Sequence, residues 1–374
     1  MSKQQGFESV TYVGPSRFQR YARTPHRSRR DTSPPLLPPN TRPIRRRRLL
    51  IGIAACGVAP TAIALPKFRI GILIVDKWDP ADPVSVRPFL DELTRLGYQP
   101  GRDVEFIIRE SGPDLGRLDD LARELVKLRV DVIIAGGRSA TFAAKRATSS
   151  IPIVLTGAND PVADGLVASL AKPGGNVTGN ADMGADLVVK QMELLAEMTG
   201  SRGPFGYVAA QVAVRYKSDD LIVAELRSFA ESRGIRLVVS SVPIAVGSGE
   251  SEFDRALAAL KEVGVTGVLI DNNAAFDLKP KRVAQLLIDY QLPAIMDYRD
   301  YALAGVLMTY SEPNSDPAIR IAGFVDRILK GAKPEDLPVA RPTRFDLVVN
   351  LTTAGKLKLR VPGTLLLMAN EVVN

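Results

Sequence analysis

The side chains most able to do chemistry are missing from most of this chain. Its only cysteine, Cys56, and its only histidine, His26, both lie within the first 66 residues. Residues 67–374 therefore hold no thiolate nucleophile, no imidazole base and no Cys or His metal ligand, which excludes Ser-His and Cys-His catalysis and ordinary zinc sites there. Cofactor motifs are absent as well. Gly71 stands alone in the first apolar run, so no G-x-G-x-x-G follows it, and no G-x-x-x-x-G-K-[ST] loop occurs. Carboxylate or lysine chemistry remains open, and beside it stand short polar clusters suited to holding a small molecule.

The sharpest is Gly136-Gly137-Arg138-Ser139-Ala140-Thr141. Glycines allow a ligand close to the backbone, and a helix beginning there presents unpaired N–H groups and the positive end of its dipole. A carboxylate held by Ser139, the N–H of Ala140 and Thr141, with Arg138 nearby, is the expectation. The same residues also fit a plain glycine turn with Ser139 as N-cap. Trp78, the only tryptophan, follows Asp76 and Lys77 and is either a stacking wall or a residue packed on its own domain. Asn159 and Asp160 offer a partner for a ligand ammonium or a turn cap before Pro161. Gln211 with Tyr216, Asp271-Asn272-Asn273, and Asp297-Tyr298 complete the candidates.

Each cluster follows a segment that reads as a strand. Arg69–Val75 is a continuous β-branched run, as expected where both faces of a strand are buried. Further strands are expected at 103–108, 130–135, 151–155, 205–210, 235–240, 265–270, 294–296, 305–310 and 345–350. Helical spacing lies between most of them, as in Leu118, Leu121, Leu125 and Leu128. This β-α alternation predicts parallel sheets covered by helices. Ten strands exceed the usual size of one open sheet, so two α/β lobes are expected. The glycine-rich segment 172–180 is the natural first crossing between them. In such sheets ligands sit beyond the carboxyl ends of the strands, where the polar clusters fall.

The formal charge of +8 belongs to the leader. Residues 1–66 carry 12 Lys and Arg against Glu8 and Asp31, leaving 37 basic and 39 acidic residues for 67–374. A nearly neutral body argues against a nucleic-acid partner. Arg45–Arg48 followed by the apolar stretch 49–65 has the order of a secretory signal, and Pro60 with two glycines weakens a permanent membrane span. Ala62-Ile63-Ala64 would release a soluble chain near Leu65. Ile53-Ala54-Ala55-Cys56 is the competing lipoprotein box, which would anchor the chain through Cys56 but requires a very short apolar region, so release is favoured.

Lys172-Pro173-Gly174-Gly175-Asn176-Val177-Thr178-Gly179, preceded by Asn159-Asp160-Pro161-Val162 and Gly165-Leu166-Val167, resembles the tryptophan/tyrosine-type substrate-binding proteins of ABC transporters. The ending Phe345–Asn350, Val361-Pro362 and Leu365–Leu367 is similar to that family too. Two departures stand out, the Asp- and Pro-rich loop 76–87 and Met368-Ala369-Asn370-Glu371 in place of the usual Arg-Ala-Asp-Glu. The resemblance implies a type I periplasmic binding fold: two Rossmann-like lobes with parallel sheets, joined by three crossings and closing on a ligand. Lobe I is expected at 67–180 plus 303–331, and lobe II at 181–302 plus 332–374. It also implies a periplasmic location, permease and ATPase partners, no cofactor and no catalysis. The ligand expected from the candidate residues is an apolar or aromatic amino acid or an aromatic carboxylate. The alternatives are a Rossmann-like enzyme using carboxylates and the ligand-sensing domain of a regulator.

Overall fold

The computed structural model describes residues 67–374 except 83–84, 113, 183, 212–215, 244–248, 272–278 and 314. The element order is β1 (Phe68–Ile74), α1 (Val86–Arg95), β2 (Val104–Glu110), α2 (Leu118–Lys127), β3 (Val132–Ala135), α3 (Gly137–Ala147), β4 (Ile153–Leu155) and β5 (Val177–Gly179). There follow α4 (Gly184–Thr199), β6 (Phe205–Gln211), α5 (Lys217–Ser232), β7 (Leu237–Pro243), α6 (Gly249–Glu262), β8 (Gly267–Ile270), α7 (Pro280–Asp289), β9 (Ala294–Met296), α8 (Arg299–Ala304) and β10 (Met308–Ser311). The chain ends with α9 (Ser315–Leu329), β11 (Asp346–Asn350), α10 (Leu351–Lys356), α11 (Gly363–Met368) and β12 (Glu371–Val373).

Two sheets form. The first has the order β2-β1-β3-β4-β5, all parallel. The second runs β12-β11-β10-β9-β8-β6-β7, parallel except for the β10–β11 pair. Its segment β7-β6-β8-β9-β10 repeats the 2-1-3-4-5 order of the first sheet, although no sequence repeat relates them. Alternate residues on each strand enter opposite cores. Ile70, Ile72, Val132 and Ile134 pack against α1 and α9, while Leu73, Ile133 and Ala135 pack against α2 and α3. Both faces are covered, which is why these strands read as unbroken apolar runs. In the second sheet one face packs against α6 and α7 and the other against α4 and α5.

Among the described residues the chain passes between lobes at 180–182, 312–313 and 341–345. This moves the expected boundaries. β10 pairs with β9 and β11, so 303–311 belongs with the second sheet and not the first. Leu337 and Val339 fill the cores of the first lobe, so 332–340 belongs there and not with the second. The run 172–180 was expected as the first crossing. Instead it lies mostly within lobe I and supplies its last strand, whose three residues are too few to show a period.

Gly179 ends that strand with φ +132°, and a Cβ there would lie 2.2 Å from the Leu155 carbonyl oxygen. Only glycine lets β5 approach β4 so closely at the start of the crossing. The backbones of the first and third crossings then pair, Ala340 N–H to Gly179 O at 2.8 Å and Ala181 N–H to Ala340 O at 2.8 Å. Arg320, on α9, donates to Asn180 Oδ1 at 3.0 Å and to both oxygens of Glu312, so one side chain ties the first crossing to the second.

Candidate functional site

The carboxyl ends of the two sheets meet at a group of acids. Asp297 follows β9, with Asp271 after β8, Asp182 in the first crossing and Glu312 in the second. Asp297 accepts from Gln191 Nε2 at 2.6 Å, and the same amide donates to the Tyr310 carbonyl at 3.1 Å. Desolvation pushes the Asp297 carboxyl up to about 7; the Gln191 hydrogen bond opposes this, and the charges of Asp271 and Asp182 add to it. Asp182 is pushed up to about 6 by desolvation, with Arg138 and Arg320 acting against it and Glu312 with it. Tyr298 is raised too, first by desolvation and then by Asp182, Asp297 and Asp271.

Asp182 and Tyr298 combine two properties that seldom coincide. Desolvation raises both, yet Tyr298 keeps 44% of its surface accessible and Asp182 is also exposed. Both side chains are thus partly shielded by protein and partly open to solvent. Because water reaches them, solvent moderates the desolvation while its upward direction stands. Gly157 lines the same place, where a Cβ would fall 3.1 Å from one Asp182 oxygen and 3.2 Å from the other. Tyr298 has φ 49° and ψ 118°, uncommon for a bulky residue and worth about 1–3 kcal/mol of strain.

The structure brings together only some of the residues expected from sequence. Asp297 and Tyr298 are at the acidic space. Arg138 and Ser139 instead engage lobe II: Arg138 Nη1 donates to Asp219 Oδ1 at 2.6 Å and Ser218 Oγ at 2.8 Å, and Ser139 Oγ lies 2.9 Å from the Tyr216 hydroxyl. Asn159 Nδ2 reaches Asp219 Oδ1 at 3.5 Å. Ala140 and Thr141 are fully buried, and the Thr141 hydroxyl donates to the Gly137 carbonyl at 2.7 Å. α3 begins at Gly137, which turns the side chains at positions 140, 141, 143 and 144 toward the core. Ser139 is therefore inside the helix and does not cap it.

Asp160 accepts from the N–H groups of Val162 and Ala163 at 3.0 and 2.9 Å, the turn-capping alternative. Trp78 packs against Phe89 and Phe106, each at 6.1 Å between ring centroids, within its own lobe. Asn272 and Asn273 lie outside the described residues, and Gln211 is described only as the last residue of β6.

Sequence reasoning passed over Asp182 and Gln191. Gln191 carried a signal: it shares a helical stripe with Leu195 and Met198, an isolated polar residue on a buried face. Asp182 had none, since its role depends on where the crossing runs.

Two lobes of 2-1-3-4-5 order with an acidic cluster where their strand ends meet the crossings have the architecture of the type I periplasmic binding class. The chain belongs to the ABC transporter substrate binding protein family, whose sequence profile spans residues 74–373. It is 25% identical over 273 residues to the tyrosine-binding protein of Clostridioides difficile strain R20291, covering 73% of this chain and 76% of that one. It also matches the structure of an ABC domain from Streptococcus pneumonia in complex with L-Trp, with TM-score 0.72, 23% identity, and coverage of 82% of this chain and 100% of that one. A conserved domain protein from Vibrio cholerae O1 biovar El Tor gives TM-score 0.72 at 25% identity, covering 82% and 99%. The function of this chain is thus the binding of a small-molecule solute for an ABC transporter.

Proposed function

We propose that this protein captures an amino acid with a large apolar or aromatic side chain between its lobes and presents it to the permease and ATPase subunits of an importer. The observation that carries this is the pair Asp182 and Asp297, two charge-coupled carboxyls raised toward neutrality where a strand end of lobe II meets the first crossing. An ammonium group placed between them would favour their ionised forms and relieve their mutual repulsion. A ligand whose only charge is a carboxylate would add to that repulsion, so an amino acid is preferred to an aromatic carboxylate. The L-Trp held by the Streptococcus protein and the name of the tyrosine-binding relative support a large side chain. Tyr298, strained and accessible, supplies an aromatic wall.

The ligand is released unchanged: capture is by hinge closure about the crossings at 180–182, 312–313 and 341–345. The basic leader and its Ala62-Ile63-Ala64 site support export to the periplasm with release near Leu65. Lipid attachment at Cys56 is the alternative. The test is thermal unfolding of the purified protein at pH 7.5 with L-tryptophan, L-tyrosine, L-phenylalanine, L-leucine or benzoate, followed by recovery of the ligand. A rise in Tm with at least one amino acid, larger than with benzoate, and intact ligand are expected. Stabilisation by benzoate alone, or by none of the five, overturns this ligand class.

A further inference from the structure

Two elements of lobe I converge on one helix end of lobe II. From α3, Arg138 donates to Asp219 and Ser218 while its guanidinium lies 4.3 Å from the centroid of the Tyr216 ring. That ring is stacked on Phe142, also from α3, at 5.5 Å and 14°. From the connection between β4 and β5, Asp164 accepts from the Ser218 N–H and the Ser218 hydroxyl, both at 2.9 Å. The same connection brings Asn159 against Asp219. Ser218 is the second residue of α5, so a carboxylate of one lobe caps a helix of the other. The site is shielded: side-chain exposure is 14% for Arg138, 0% for Asp164 and 28% for Asp219.

From this geometry we infer that Arg138, Asp164 and Asp219 form an inter-lobe latch that draws the two lobes together in the absence of ligand. Opening the lobes would take Asp219 and the Tyr216 ring from Arg138, leaving it only Asp164 of its own lobe at 3.8 Å, and would leave the Ser218 N–H without its acceptor. Each loss is borne only by the open form, so the latch sets the ratio of closed to open protein. Ligand affinity follows that ratio, because a ligand that binds the closed form binds more tightly when that form is already populated. Arg138 is thereby a positioning residue. The inference rests on the solute-binding reading only in that closure is the movement that captures ligand.

The test uses the full chain carrying Cys56→Ser, which leaves no native thiol. Lys127→Cys on lobe I and Lys261→Cys on lobe II then carry a dye pair for single-molecule energy transfer. Arg138→Ala and Asp219→Asn should each lower the ligand-free closed-to-open ratio about tenfold, and the double variant should lower it no further. L-tryptophan and L-tyrosine affinities should fall in parallel. Arg138→Lys, which keeps charge but loses the planar fork, should lie between. An unchanged ligand-free distribution in both single variants, additive losses, or a ligand-free wild type that is wholly open overturns the latch. If Arg138→Ala weakens amino-acid binding while Asp219→Asn tightens it, Arg138 contacts the ligand carboxylate and the latch is refuted. Failure of the wild type to bind any amino acid speaks against the ligand class alone, since the latch is read without ligand.

Discussion

Replacing Gln191 by Met removes the amide that donates to Asp297 Oδ1 at 2.6 Å and to the Tyr310 carbonyl at 3.1 Å, while keeping the volume of a residue only 3% exposed. The amide holds the Asp297 carboxyl down, so its loss raises a group already at about 7. A hydrogen bond to a charged group is worth about 1.5–3 kcal/mol, and one pKa step is about 1.4 kcal/mol, so the rise is about one step. If an ionised Asp297 receives the ligand ammonium, binding tracks the ionised fraction. At pH 7 that fraction falls from about one half to about one tenth, roughly a fivefold loss of affinity. At pH 8 the loss shrinks to about twofold, and above about pH 9.5 it vanishes. Calorimetric titration of L-tryptophan or L-tyrosine into both proteins from pH 5.5 to 9.5 would resolve this. Wild-type affinity should fall toward acid, and the midpoint of the variant should move alkaline. A loss of the same size at every pH, or wild-type affinity that is flat from pH 8.5 to 5.5, refutes the role given to Asp297.

Stability without ligand should answer to pH in the opposite sense. Because the folded state raises Asp297 from an ordinary carboxyl value, its stabilising contribution is complete below about pH 4 and is lost as pH climbs through about 7. Compared with Asp297→Asn in urea unfolding, the ligand-free wild type should lose about 1–2 kcal/mol between pH 4 and 7.5, after allowance for solvent screening; a relative gain would contradict the raised value. Gly179→Ala should cost about 2–4 kcal/mol, since the new Cβ meets the Leu155 carbonyl at a backbone angle that side chains avoid; an unchanged midpoint in chemical denaturation would contradict it. Arg320→Met leaves Glu312 at 12% exposure without its guanidinium and should cost about 2–3 kcal/mol, measured the same way.

The pattern of strands and helices was legible because both faces of most strands are covered, which writes long apolar runs into the sequence. Short edge elements were not. β5 and β12 have three residues each, and α8, α10 and α11 six each, too few to display a period. The candidate site was legible in position and less so in identity. Asp297 and Tyr298 stand at a strand end, where parallel sheets place their ligands. Arg138 and Ser139 stand at another, yet they face a helix of the opposite lobe.

The lack of histidine and cysteine beyond residue 66, the near neutrality of the body and the β-α rhythm are properties of the chain itself, and they already point to two α/β lobes without a thiol or imidazole in the body. Which polar residues meet which is a different matter. Asp182 and Asp297 are 115 positions apart, and Arg138 and Asp219 are 81 apart. Their protonation and pairing depend on the path of the crossings and on the volume of protein around them. Local spacing governs periodicity and capping, but desolvation and charge coupling act through space, so only the folded chain could decide them.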